Sequence, residues 1–129
     1  MHLMSIRLGT SDTAKARTFY DATFGALGAN PTSAPEDAKT LLYRLPDSPV
    51  FMIGTPRDGE PACHANGGTI LFSADSDDAV RAWHAAGLAN GGSNEGDAEP
   101  KPQVNGLWGA YLRDPDGNKL GCFHGLNFG

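Results

Sequence analysis

The sequence predicts an α+β fold built from two βαβββ halves, each a strand, a helix and three further strands. Three observations predict it. The chain repeats itself, so that Phe19 corresponds to Trp83 and Ile6 to Ile70, each pair 64 positions apart. Each copy carries apolar residues at helical spacing after a short strand-like run, and each then returns to extended segments divided by Pro, Gly and Asp. An internal repeat of this kind indicates a duplicated supersecondary unit.

The helices are predicted from a three-to-four-residue spacing of apolar side chains and from polar clusters before them. The clusters are Thr10–Thr13 and Asp75–Asp78, whose side chains can accept hydrogen bonds from the free N–H groups of a first helical turn. In the first half the predicted buried stripe comprises Ala16, Phe19, Tyr20, Thr23, Phe24 and Leu27, and in the second Ala79, Val80, Trp83, Ala86 and Leu88.

Eight short extended segments are predicted to be strands. Met4–Gly9 and Thr69–Ala74 open the two halves, and a weaker strand in a polar stretch follows each helix, at Ala29–Ser33 and Ser93–Ala98. The remaining strands are Thr40–Leu45, Pro49–Gly54, Leu107–Arg113 and Lys119–His124. The last two are joined by Asp114–Asn118, a turn sequence in which Pro fixes φ and Gly supplies a positive φ.

Alternation along the strands predicts two different sheet faces. One is apolar and should meet the helices: Ile6, Leu8, Ile70, Phe72, Ala110, Leu112, Leu120 and Cys122. The other mixes polar, aromatic and small residues: Ser5, Arg7, Thr69, Leu71, Tyr111, Arg113, Gly121 and Phe123. Because this mixture is unlike a fully solvated surface, we interpret it as the lining of a cavity. We also expect seven apolar residues to be buried together between the helices and the sheet: Ile6, Leu8, Phe19, Ile70, Phe72, Trp83 and Leu120.

Length and composition favour a single domain over residues 1–129, with one module at about 1–57, a linker at about 58–66 and a second module at about 67–126. A net charge of −5 argues against a nucleic-acid partner, because such binding relies on clustered Lys and Arg. No run approaches the roughly 18 apolar residues of a membrane span. The two cysteines, Cys63 and Cys122, form no CxxC motif, which favours reduced thiols and a cytoplasmic location.

Two passages resemble the vicinal oxygen chelate superfamily, which includes glyoxalases, bleomycin-resistance proteins and dioxygenases. One runs from Leu8-Gly9-Thr10-Ser11-Asp12 through Phe19-Tyr20-Asp21 to Leu27-Gly28, and the other is Tyr111-Leu112-Arg113-Asp114-Pro115-Asp116-Gly117-Asn118-Lys119-Leu120. The resemblance implies eight strands in a cup-shaped mixed sheet, a homodimer and, in many members, one divalent metal held by His or Glu from four strands.

At the positions where the resemblance implies metal ligands, this chain has Ser5, Thr69 and Gly121, with the fourth position near Phe51 or Ile53. None of these side chains is a usual ligand of a catalytic divalent metal. His2 and His124 each lie three residues from one of these positions, which on a strand points the side chain to the opposite face. We therefore expect no metal cofactor. The implied ligand-binding cup comprises Ser5, Arg7, Phe51, Thr69, Leu71, Tyr111, Arg113, Gly121 and Phe123.

The two arginines of this set allow two interpretations: each pairs with a Glu or Asp inside the protein, or each clamps an acidic group of a ligand. Three functions stay open. The first is binding of a small, acidic organic molecule without metal, as in bleomycin-resistance proteins. The second is that of a lyase, isomerase or dioxygenase relative with a displaced or lost metal; whether His2 or His124 would bind a displaced metal stays open. The third is a module kept for interaction alone.

Overall fold

The computed structural model describes residues 1–129 as two helices and seven strands in two sheets. The elements are β1 (Ser5–Gly9), α1 (Thr13–Ala26), β2 (Thr40–Tyr43), β3 (Val50–Gly54), β4 (Ile70–Ala74), α2 (Asp77–Ala89), β5 (Ser93–Lys101), β6 (Leu107–Arg113) and β7 (Lys119–His124). A short 3-10 turn, Pro102–Val104, joins β5 to β6. The sheet orders are β1-β3-β2 and β4-β7-β6-β5, and in each sheet the opening strand pairs in parallel with the last.

Both helices begin where the polar clusters predict. The Asp12 carboxylate accepts a hydrogen bond from the Lys15 N–H at 3.0 Å, and the Ser76 hydroxyl accepts one from the Ala79 N–H at 3.0 Å. Each of these caps satisfies a donor that the helix itself leaves free. Neither helix combines the length and apolarity that a bilayer crossing requires.

The predicted strand at Ala29–Ser33 does not form, so the expectation of eight strands is wrong. This segment contains a proline, which has no N–H for a ladder. Side chains of α1 bind the backbone here instead: Asp21 accepts from the Thr32 N–H of the segment at 3.0 Å, and Arg17 donates to the carbonyl oxygen of the following residue, Ala34, at 2.8 Å. The segment is therefore fastened to the helix. Its counterpart in the second half does form a strand, β5, which is longer than predicted.

One core lies between the helices and the inner faces of both sheets, as the repeat predicts. Phe19, Trp83 and Leu120 are fully buried in it. Leu8, Ile70 and Phe72 are half-buried and pack against it. Ile6 is half-buried and lies outside the cluster, so the prediction of a shared core is confirmed except at this edge-strand position.

The turn between β6 and β7, residues 114–118, contacts the first half directly. The Tyr20 hydroxyl donates to the Asp114 carboxylate at 2.5 Å, and the Ser11 N–H donates to the Asp116 carboxylate at 2.8 Å. Both acceptors belong to the turn whose sequence is the clearest local signal in the chain. These bonds fix one end of the second sheet against the first half.

Candidate functional site

Each sheet has a second face, here called its outer face, which points away from the helices. Register defines these faces, because residues paired across strands share a side. On the first sheet Arg7 pairs with Met52, and Met52 pairs with Leu42. On the second sheet Gly121 pairs with both Leu71 and Tyr111. The outer faces therefore comprise Ser5, Arg7, Leu42 and Met52 on the first sheet, and Leu71, Tyr111, Arg113, Lys119, Gly121 and Phe123 on the second.

Most of the nine predicted cup residues lie on these outer faces, and Thr69 immediately precedes β4. Phe51 does not, and its inclusion was wrong. It pairs with Ile6 in register, is 2% exposed, and its ring lies 5.1 Å from that of Tyr20 inside the core. Both residues considered for that position, Phe51 and Ile53, face the helices, and the outer-face residue between them is Met52.

The Arg7 guanidinium has no acidic partner. It donates to the Thr55 carbonyl oxygen at 2.9 Å and contacts the Thr40 hydroxyl at 3.4 Å. None of the four ion pairs of the protein includes it. It also lies against Gly54, where a Cβ atom would be 2.6 Å from the Arg7 Nη2 atom. Arg7 thus holds a fixed position with donors left over, so the internal-pair interpretation does not apply to it.

Arg113, unlike Arg7, has an acidic partner within the chain. Its Nη2 atom lies 3.1 Å from the Glu95 carboxylate, and its Nη1 group donates to the Gly117 carbonyl oxygen at 3.0 Å. Both ends of this guanidinium are used within the chain. The internal-pair interpretation therefore applies to Arg113.

Two aromatic rings lie across glycines on the second outer face. The Tyr111 and Phe123 rings meet edge to face at 5.6 Å, and the Lys119 ammonium lies 5.0 Å from the Tyr111 ring centre. A Cβ atom at position 121 would lie 2.8 Å from Cε1 of Tyr111, and one at position 109 would collide with Phe123. Because Gly109 and Gly121 lack side chains, the two rings can approach the backbone of the sheet closely. Phe123 is 3% exposed, so the half-buried Tyr111 ring is the aromatic surface that lies beside the Lys119 cation.

The residues at the implied metal positions do not fit a divalent metal. Ser5 and Thr69 offer only neutral hydroxyls, and Gly121 offers no side chain. Nowhere do three His, Cys, Asp or Glu side chains come together as a metal site requires. The His124 ring contacts the Asp77 carboxylate at 2.9 Å, near the start of α2, and His2 is exposed.

Burial sets the protonation of several groups that are not on the outer faces. It raises the pKa of Asp114, against the hydrogen bonds from Tyr20 and Asn118. Burial, together with the charge of Asp114, also raises the pKa of Tyr20. Burial raises the pKa of the Cys122 thiol to about 12, so this inward-facing cysteine is a neutral thiol at physiological pH. These groups belong to the core and to its fastening.

A groove of about 620 Å³ lies elsewhere, between the end of α1, the loop joining β2 to β3, and β4. Its walls include Phe24, Leu45, Asp47 and Phe72, and Leu71 is the one residue it shares with the predicted cup. No pattern in the sequence predicts this groove. It forms where three segments distant in the chain approach one another, and no local pattern encodes that approach.

Comparison with known proteins identifies the family of the chain. The family model described as "Glyoxalase/Bleomycin resistance protein/Dioxygenase superfamily" matches residues 2–121. A glyoxalase/bleomycin resistance protein from Albidiferax ferrireducens T118 is 40% identical, with a TM-score of 0.84 over 95% of this chain and 98% of that one. A comparison with curated proteins gave no match.

More distant structures share the fold alone. They include a glyoxalase-related enzyme from Fulvimarina pelagi, 18% identical with a TM-score of 0.77 over 96% of this chain and 88% of that one. Another is a lactoylglutathione lyase from Agrobacterium tumefaciens, 22% identical with a TM-score of 0.65 over 96% and 93% of the two chains. With the family model spanning nearly the whole chain and both sheets present, this protein belongs to the glyoxalase/bleomycin resistance protein/dioxygenase superfamily.

Proposed function

We propose that this protein binds a small organic molecule with an acidic group on the outer faces of its sheets, without a divalent metal held at positions 5, 69 and 121. The observation that carries the proposal is the Arg7 guanidinium, which is held by a carbonyl and a hydroxyl oxygen and faces no carboxylate. A guanidinium with free donors is well suited to a carboxylate or phosphate, which it binds through paired hydrogen bonds.

The surroundings of Arg7 suit the body of such a ligand. Met52 and Leu42 lie beside it in register on the same face, and Leu42 is 37% exposed. On the outer face of the second sheet, the half-buried Tyr111 ring packs edge to face against Phe123, which is 3% exposed. Apolar and aromatic surface next to a cation favours a planar or apolar molecule with one anionic end.

A second copy of the chain is part of the proposal. The outer faces expose Leu42 and Leu71 at 37% and 38%, and strands β1, β2, β4 and β5 are edge strands of their sheets. Exposed apolar residues and unpaired strand edges are features that proteins cover. We infer a homodimer in which the partner closes the cup over these faces. Sedimentation at micromolar concentration should give the mass of two chains, and a monomer would contradict it.

The binding test uses metal-free protein and calorimetric titration with benzoate, phenylacetate and 1-naphthoate. At least one should bind and raise the melting temperature, as mass action requires of a ligand of the folded state. Arg7→Ala should weaken that binding about tenfold, which corresponds to one charge-assisted hydrogen bond. Arg7→Lys should recover little, because lysine cannot form the paired contact.

The matched control is Arg44→Ala, which removes an exposed arginine that makes no hydrogen bond or ion pair. Its affinity should equal that of the wild type. Stoichiometric binding of Zn²⁺, Ni²⁺ or Fe²⁺ that disappears in His2→Ala or His124→Ala would overturn the proposal and favour an enzyme with a displaced metal.

A further inference from the structure

Glu95 lies where an acidic ligand would meet the second outer face. Its carboxylate is 3.1 Å from Nη2 of Arg113, and Arg113 pairs in register with Lys119, whose ammonium lies over the Tyr111 ring. Arg113, Lys119 and Tyr111 together are called the cationic pocket below. Glu95 is thus the carboxylate that this pocket already holds.

The charges of the pocket do not balance. Arg113 and Lys119 carry two positive charges, and Glu95 supplies one negative charge. The hydrogen bond from Arg113 holds the pKa of Glu95 below its usual range, and the charges of Arg113 and Lys119 act in the same direction. Glu95 is therefore ionised at neutral pH and competes with any anion for the pocket.

Glu95 is also placed so that it can leave. The strand that carries it, β5, changes register between Asn94 and Gly96, where Glu95 lies, and again between Gly96 and Glu99. Its ladder to β6 is therefore interrupted at Glu95 and once more beyond Gly96. The side chains of Glu95 and Arg113 are 34% and 28% exposed. An exposed ion pair is worth only about 1 kcal/mol or less, so a stronger anion can displace it.

We infer that Glu95 is a built-in competitor which makes the cationic pocket select a doubly charged anion, of the phosphate monoester class, over a monocarboxylate. When a monocarboxylate ligand displaces the Glu95 side chain from Arg113, one carboxylate replaces another and the net charge at the two cations stays the same. A dianion neutralises Arg113 and Lys119 together, and its three oxygens suit a guanidinium. The inference rests on the proposed function in one respect, that a ligand reaches this outer face.

The test compares phenyl phosphate with benzoate, at a pH of about 8 where phenyl phosphate is doubly charged. On the wild type, phenyl phosphate should bind about tenfold more tightly than benzoate. Glu95→Gln keeps the side-chain shape and should tighten phenyl phosphate binding about fivefold, the upper worth of an exposed ion pair. Arg113→Ala should weaken it about tenfold.

Glu99→Gln is the matched control. Glu99 is another glutamate of β5, but it pairs with Lys101 at 3.3 Å instead of Arg113. The same loss of one negative charge at this position should leave phenyl phosphate affinity within about twofold of the wild type, because a more distant exposed charge is screened by salt. An equal gain in both variants would mean that net charge alone explains the effect, which overturns the inference.

The remaining outcomes separate this inference from the proposed function. Benzoate binding that follows Arg7, with no response of phenyl phosphate to Glu95→Gln, keeps the proposed function and overturns the inference. Phenyl phosphate binding that follows Glu95 and Arg113, with no response of any probe to Arg7→Ala, supports the inference and overturns the role of Arg7. If Glu95→Gln binds neither probe, the inference fails, because it requires that Arg113 and Lys119 bind an anion once the Glu95 carboxylate is removed.

Discussion

The two halves of the molecule share a pattern, but they meet each other differently at their two ends. At one end the β6–β7 turn is fastened to the first half, with Tyr20 bonded to Asp114 at 2.5 Å. At the other end the loop joining β2 to β3 leaves the groove open beside β4. The repeat places His84 where the first half has Tyr20, yet His84 bonds to Asn94 of its own half at 2.8 Å. The two halves therefore share the same helices and strands, but the contacts between the halves differ, because those contacts depend on single side chains.

The largest expected effect concerns what the halves share. Phe19→Ala and Trp83→Ala each remove a fully buried aromatic at repeat-related positions, and each should lower the free energy of unfolding by about 3–5 kcal/mol. Urea denaturation measures this. Leu88→Ala, at a residue 44% exposed on α2, is the control and should cost about 0.5 kcal/mol or less. A small effect at only one of the two aromatics would break the equivalence of the halves.

The second effect concerns what they do not share. Asp114→Asn should cost about 2–3 kcal/mol, because an amide N–H₂ group would face the donors of Tyr20 and Asn118 and leave a buried donor unpaired. Asp47→Asn, in the loop of the other hairpin, should stay within about 0.5 kcal/mol, since Asp47 is exposed and accepts no hydrogen bond. Denaturation midpoints of the two variants test this directly. Equal costs would mean that the groove end is fastened as firmly as the other.

A third effect concerns the strand that the first half lacks. Arg17→Ala removes hydrogen bonds to the carbonyl oxygens of Ala34 and Pro35, both at 2.8 Å, and should cost about 1–2 kcal/mol. Limited proteolysis should then cut faster within residues 29–38. Arg44→Ala removes an arginine without such contacts and should change neither stability nor cleavage. Unchanged cleavage in Arg17→Ala would show that the segment is held by something else.

The smallest effect is a pH dependence of the fastened end. Because burial raises the pKa of Asp114 in the folded protein, the folded state binds this proton more tightly than the unfolded state. The stability this contributes is present below the unfolded pKa and is lost as the pH rises through the folded pKa, by at most about 1.4 kcal/mol per pH unit. The slope should vanish in Asp114→Asn. A slope of opposite sign at this site would mean that its hydrogen bonds outweigh burial.

The sequence correctly predicted the elements that are determined by neighbouring residues, and it failed where contacts from distant residues decide the structure. Strands β6 and β7 have the predicted bounds, because the turn between them is encoded in its own five residues. The strand expected at Ala29–Ser33 does not form: the Asp21 side chain of α1 accepts from the Thr32 N–H, and Arg17 holds the next two residues, Ala34 and Pro35. Strand propensity gives no indication of such contacts from a helix.

The candidate site divides in the same way. Alternation placed Arg7, Tyr111 and Arg113 on the correct face, since parity is a property of each strand alone. Phe51 entered the predicted cup through the family resemblance, which located the fourth ligand position only approximately, and its pairing with Ile6 puts it on the helix-facing side. The pairing of Arg113 with Glu95 was beyond the sequence, since it depends on the register shifts of β5.

Gly121 has a consequence for how this protein can change over time. A glutamate there, the ligand type that the family resemblance implies, would meet Cε1 of Tyr111 at 2.8 Å from its Cβ and the end of Leu71 at 2.5 Å. A single mutation at position 121 would therefore add a strained side chain and no working ligand. Tyr111 must shrink or move first, and that first step removes part of the aromatic surface while offering no metal in return. A metal-binding glutamate at position 121 therefore requires at least two substitutions, of which the first brings no metal binding.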